Sequence, residues 1–148
     1  MKKLLLLTLT FTLMFSLFGC AKKAPLNKEA LKTDVLNNVT FEVPLEKVGA
    51  NAISVLFTLE SGVTAEVYKG SSIYPDQFGV FSAPDSKSAS STEKMLQDYK
   101  QSLLTDYSHY NAEQISKIKD AVIYRRDLDV VFLICDQNNE ALKIIERN

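Results

Sequence analysis

The sequence predicts an α+β fold. The expected form is a two-layer sandwich: a four-stranded antiparallel sheet, built from two hairpin-helix units, with helices mainly on one face. Three observations lead there. Two stretches, starting near Ala65 and Ala121, each read as strand, turn, strand and then helix. Between them, Met95, Leu96, Tyr99, Leu103 and Tyr107 recur three or four residues apart, while Glu93, Gln97, Asp98, Lys100 and Gln101 occupy the other side. Finally, Val130 to Cys135 is apolar at every position, the pattern of a central strand covered by protein on both faces or nearly so.

Taken in order, the chain opens with MKKLLLLTLTFTLMFSLFGC. Lys2 and Lys3 form a positive start, fifteen uncharged residues follow from Leu4 to Phe18, and Gly19-Cys20 closes the run. That is the plan of a secretory signal, whose apolar part is shorter than the roughly 20 residues a spanning helix needs. Leu17-Phe18-Gly19-Cys20 resembles the lipobox of bacterial lipoproteins, with Phe18 where that pattern usually has a small residue. The resemblance implies a diacylglyceryl group on the Cys20 thiol and cleavage just before it. The expected division is therefore a signal peptide over 1–19, a lipidated tether over 20–26 and one domain over 27–148. It places the domain at the cell membrane, lipid-anchored on the extracytoplasmic face through the lipid on Cys20, and the domain itself need not touch the bilayer.

Asn27 is a candidate cap for a helix over 27–38, where Ala30, Leu31, Val35 and Leu36 fall at helical spacing. Val39 to Val43 reads as extended and ends at Pro44. Residues 45–59 fit a strand and a helix about equally, and a short helix over 51–59 is expected, closed by Ser61-Gly62. Ala65 to Ile73 reads as a strand with Val67 and Ile73 on one face. Tyr74-Pro75-Asp76 is a turn, and Gln77 to Ala83 the returning strand. Asp85 is placed to cap a helix over 86–107 whose first residues, Ser86 to Thr92, have weak propensity. Asn111 with Gln114 resembles a capping box before a short helix reaching Asp120. Strands follow over 121–124 and 128–135, around Arg125-Arg126-Asp127, and Asp136 or Asn138 caps a last helix that turns Ala141, Leu142 and Ile145 inward.

The whole chain carries a formal charge of −1, and cleavage removes two lysines to leave 15 basic against 18 acidic side chains. So mild a balance argues against nucleic acid and against a polybasic lipid-binding surface. Cys135 is the one cysteine beyond Cys20 and lies in an apolar run, so it reads as a buried, inert core thiol. His109 is the single histidine, and one histidine with one buried thiol cannot assemble a metal site. No strained serine elbow and no phosphate loop is present. Glu42, Glu46, Glu60 and Glu66 qualify for a glycosidase-type carboxylate pair by residue type alone. No catalytic residue, no metal and no cofactor is expected. Tyrosine suits binding surfaces because it offers a large area at small entropic cost, and Tyr74, Tyr107 and Tyr110 are the candidate binding surface.

Val80-Phe81-Ser82-Ala83-Pro84-Asp85, the long polar helix, Tyr110-Asn111-Ala112-Glu113-Gln114 and Lys117-Ile118-Lys119-Asp120-Ala121-Val122 before an apolar strand together resemble a known family. It is an uncharacterised bacterial lipoprotein family catalogued as domain of unknown function 4358. The resemblance covers most of the mature chain and implies no activity and no site beyond the lipid-bearing cysteine. The expected function is a non-catalytic interaction module with an envelope protein as partner. The alternatives are a small-ligand (solute) binding lipoprotein and an envelope carbohydrate hydrolase.

Overall fold

The computed structural model describes residues 23–148. The expected signal peptide, Cys20 and the start of the tether lie outside the described residues. From there the chain forms α1 Lys28–Asn38, β1 Glu46–Lys47, α2 Ala50–Leu56, β2 Thr64–Lys69, β3 Gln77–Ser82 and α3 Ser86–Tyr110. A 3-10 turn at Ala112–Gln114, α4 Ile115–Lys119, β4 Val122–Arg126, β5 Asp129–Ile134 and α5 Asn138–Arg147 complete it.

The strands form one sheet in the order β1-β2-β3-β5-β4, antiparallel throughout. The fold is α+β. The two expected hairpins, β2–β3 and β4–β5, meet along β3–β5, where Phe78 pairs with Leu133 and Val80 with Val131. A fifth strand corrects the expected four. Glu46 and Lys47 carry no apolar alternation, so their own residues gave no strand signal; their strand character comes from pairing with Lys69 and Tyr68. The segment 39–43, expected to be extended, is irregular, and β1 forms only after Pro44.

Helices cover both faces of the sheet, not mainly one. Side chains alternate across a strand, and in β5 both sets are apolar. Val130, Phe132 and Ile134 join Val67 and Phe81 beneath Leu96, Leu103 and Tyr107 of α3 and Ile118 of α4. Val131 and Leu133 join Phe78, Val80 and Cys135 beneath Leu31 and Val35 of α1 and Ala141 and Ile145 of α5. A sheet with two greasy sides needs two covers. The expected two-layer sandwich is therefore a three-layer one, with α3 and α5, the helices of the two similar units, on opposite sides.

On the α3 side the core is aromatic. Phe57 meets Phe81 and Tyr99 edge-on at centroid distances of 5.1 and 4.8 Å, and Tyr99 meets Phe132 at 5.7 Å. Gly79 makes room for this cluster, since a Cβ there would lie 2.9 Å from Phe81 Cε2.

The start of α3 is held firmly, despite its weak propensity. Asp85 Oδ1 accepts from the Ser88 amide at 2.8 Å. Arg125 reaches over from β4 to donate to Ser90 Oγ at 2.6 Å and to the Ser86 carbonyl at 3.1 Å. The turn between β4 and β5 comes later than expected, with Arg125 and Arg126 inside β4 and Asp127 in the left-handed region at φ 53°. Arg126 donates to the carbonyls of Ile145 and Glu146 at 3.2 and 2.8 Å, satisfying the end of α5. The amide of Asn27 donates to the carbonyl of Asn148 at 3.1 Å, so the two ends of the described chain meet at the sheet end that carries Arg126 and Asp129.

Candidate binding surface

The opposite end of the sheet holds the loop from Gly70 to Asp76, which joins β2 to β3. Gly70 donates to the Asp76 carbonyl at 2.9 Å, which closes the loop. A Cβ at Gly70 would fall 2.5 Å from Val43 Cγ2, so close packing requires glycine there. Inside the loop, Tyr74 N donates to the Ser71 carbonyl at 3.1 Å and Ile73 N to Ser71 Oγ at 3.3 Å.

The C-terminal turn of α3 grips this loop from the side. Tyr107 donates its hydroxyl to the Ser72 carbonyl at 3.1 Å, and Tyr110 reaches the same oxygen at 3.5 Å. Their rings lie 4.7 Å apart. Asn111 Nδ2 donates to the Ile73 carbonyl at 3.1 Å. Asn111 thus serves the loop instead of the expected cap, and the Gln114 amide donates to Glu42 Oε2 at 3.1 Å in place of closing a capping box.

A rigid corner results, with two large apolar side chains facing water. Ile73 is 59% exposed and Tyr110 58%. The three tyrosines expected as a surface do come to this corner, in unequal roles. Tyr110 is exposed and Tyr74 half-buried, whereas Tyr107 is only 2% exposed and supports the loop from within. Burial, with the Tyr110 hydroxyl beside it, pushes the Tyr107 phenol well above its ordinary pKa. Ile73 was missed because the sequence put it inside a strand on the face of Val67; the strand ends at Lys69. Gly70-Ser71-Ser72 carried the signal for that early stop.

Beneath the corner lies an ionic knot. Asp76 is fully buried, and Lys117 Nζ sits 3.3 Å from its Oδ1, 2.7 Å from Glu42 Oε2 and 2.6 Å from Asp136 Oδ1. Burial pushes the Asp76 carboxyl above its ordinary value, against the pull of Lys117 and the Glu42 amide. Burial also opposes the charge on Lys117. The hydrogen bonds to Asp136 and Glu42 and the charge of Asp76 outweigh that and hold its pKa above the usual lysine range. Neither Asp136 nor Asn138 caps α5 as expected: Asp136 is in the knot, and Asn138 Oδ1 accepts from the Cys135 amide at 3.1 Å.

The carboxylates proposed by residue type are dispersed. Glu42 is in the knot, Glu66 lies on β2 between Lys32 and Lys47, and Glu46 and Glu60 are exposed. His109 is exposed in the last turn of α3. Cys135 is buried, and burial raises its thiol to about 11. Among the described residues no set of three or more histidine, cysteine and acidic side chains is arranged to hold a metal ion. No helix among them is long and apolar enough to cross a membrane.

A family model described as "Domain of unknown function (DUF4358)" matches residues 37–135. The matched part takes in all five strands, α2 to α4 and the whole corner, and leaves out most of α1, and α5. Comparison with curated proteins and with solved structures returned no match.

Proposed function

The chain belongs to the family described as Domain of unknown function (DUF4358), and from that premise we propose that it is an extracytoplasmic lipoprotein whose domain binds an envelope protein and catalyses nothing. The exposed pair Ile73 and Tyr110, on a loop fixed by hydrogen bonds from Tyr107, Tyr110 and Asn111, is the observation that carries this reading. Apolar groups presented on a preformed scaffold lose little entropy when a partner covers them, and that is the usual make-up of an interface core. The anchor rests on Lys2, Lys3, the uncharged run and Gly19-Cys20. Two or more acyl chains at one cysteine would hold the domain firmly to a bilayer without any contact from the fold itself.

Two experiments test the reading. Intact-mass analysis of the membrane fraction is expected to give a chain that starts at Cys20 and carries acyl groups, and Cys20→Ser is expected to release the protein from membranes. A photo-crosslinking residue placed at position 73 or 110 is expected to give one discrete adduct with an envelope protein in intact cells. The same residue at position 55, where Val55 is 85% exposed on α2, serves as the control. Equal adducts from all three positions would sink the binding surface while leaving the anchor standing.

A further inference from the structure

We propose that the partner of the Ile73–Tyr110 corner is a basic segment of a protein, in which a lysine or arginine stands two or three residues from an apolar side chain. The inference rests on the corner being a protein interface and adds the chemistry of what covers it.

The charges around the apolar pair have one sign. Asp106 lies one turn before Tyr110 on α3, Glu113 follows Tyr110 by three residues, and both are exposed. His109 is the one residue of basic type in that last turn. α3 also ends here, and the C-terminal end of a 25-residue helix carries partial negative charge.

Glu113 is also on the rim of a groove of about 420 Å³ between α4 and the start of α5. Its walls carry Glu113, Asp120, Asp136 and Glu140 against one cation, Lys117. Ion pairing does not cancel that excess. Lys117 is committed to Asp136, Glu42 and Asp76, and Lys143 lies 2.9 Å from Glu140. Among the described residues, Glu113 and Asp120 meet no lysine or arginine within ion-pair distance. Lys119 is exposed on α4 but does not line the groove. In the knot beneath, three carboxylates share Lys117, and half-buried Lys69 is the other cation that feels Asp76.

Corner and groove are continuous. Three residues separate Tyr110 from Glu113, a reach of at most about 11 Å. The chain turns tightly between them, where the Gln114 amide donates to the Asn111 carbonyl at 3.1 Å. Asp136 in the groove and Asp76 at the foot of the loop share the Lys117 ammonium. A partner that covers Ile73 and Tyr110 with an apolar side chain therefore sets its next residues over Glu113 and Asp120. A lysine or arginine there pairs with carboxylates that have no other cation, whereas an acidic residue is repelled.

Amide chemical shifts of the full chain in non-ionic detergent test this with two capped pentapeptides, Lys-Ser-Leu-Ser-Lys and Glu-Ser-Leu-Ser-Glu. The basic peptide at millimolar concentration is expected to shift the amides of 71–74 and 110–120, and to do so less as salt is raised. The acidic peptide is expected to shift neither. Glu113→Lys/Asp120→Lys should lose about tenfold or more in affinity for the basic peptide. Glu113→Gln/Asp120→Asn should lose affinity too, without introducing new cations. Ile73→Ser, which leaves every charge in place, should weaken binding on its own. In intact cells the charge reversal should cut the adduct from a photo-crosslinking residue at position 110 by a similar factor.

No shifts with the basic peptide, equal shifts with both peptides, or shifts that the charge-reversed chain retains would overturn the proposal. So would an undiminished adduct at position 110 in that chain, which would leave the corner an interface for a partner of other chemistry. Shifts confined to 113–120 and indifferent to Ile73→Ser would do the same, because charge alone would then hold the peptide. Shifts of 71–74 that grow with protein concentration in the absence of peptide would put a second copy of the chain there and overturn it as well. Equal adducts from positions 55, 73 and 110 would remove the interface itself, and this inference with it.

Discussion

Lys117 Nζ lies 3.3 Å from Oδ1 of Asp76, a carboxylate with no exposed surface, and the same ammonium also holds Glu42 and Asp136. One side chain on α4 thereby ties the irregular segment after α1, the start of β3 and the entry to α5 to a single point. Lys117→Met should cost about 3 kcal/mol at pH 7, because it strands a buried charge. Burial already raises the Asp76 pKa, and loss of the lysine raises it further. The folded variant then takes up a proton at a higher pH than the unfolded chain does. Its stability should therefore increase as pH falls from 7 toward about 5, the reverse of ordinary acid unfolding. Urea midpoints at the two pH values check the sign.

Tyr107→Phe keeps the buried ring and removes only the hydroxyl that donates to the Ser72 carbonyl. The expected loss is about 1 kcal/mol. Exchange of the amides over 70–76 should speed up more than that of β3 or β5. A uniform increase over the whole domain would mean that the hydroxyl serves general stability and not the loop.

Alkali should destabilise the fold through a half-buried tyrosine. Burial pushes the Tyr99 phenol from 10.0 up to about 12, with the Gln77 side chain pulling the other way. Between those two values the unfolded chain has released this proton and the folded one retains it. Stability therefore falls as pH rises through that window. Lys117, whose pKa is also raised, acts in the same direction: its contribution is complete below 10.5 and is lost above it. Tyr99→Phe should flatten the decline between about pH 10 and 12, and denaturant titrations across that range will show it.

Gly79→Ala brings a methyl to within 2.9 Å of Phe81 Cε2 and 3.4 Å of Val67 Cγ2 in the middle of the sheet. Phe81 is fully buried and packed on Phe57, so it has little room to retreat. A loss of about 1–3 kcal/mol is expected, read as a lower thermal midpoint. Pairing this change with Phe81→Leu should recover part of it if the clash is the cause.

The long helix, both hairpins and the central position of Val130–Cys135 were legible because each rests on a period or a cap that the residues themselves carry. Asn27 and Asp85 cap as expected, their side chains accepting from Ala30 and Ser88. The layering was misjudged even though its evidence was in view: a strand apolar on both sides, as β5 is, already requires helices on both sides. β1 was out of reach, because two charged residues acquire strand character only from the neighbour they pair with. The same holds for the knot. Glu42, Asp76, Lys117 and Asp136 are spread over nearly a hundred positions, and only the folded sheet end brings them together. At the corner, aromatic type pointed to Tyr74, Tyr107 and Tyr110, but type does not say which ring faces water and which becomes a strut.

The bond between the Asn27 amide and the Asn148 carbonyl gives the molecule a handle. A leash arriving at Asn27 and any cargo stitched on after Asn148 would leave from one shared pole. The crown formed by Ile73 and Tyr110 sits at the antipode, so a fluorescent reporter or capture tag fused behind Asn148 should not shadow it. For the same reason a short linker from 148 to 27, with new ends cut elsewhere, should yield a circular permutant that still folds.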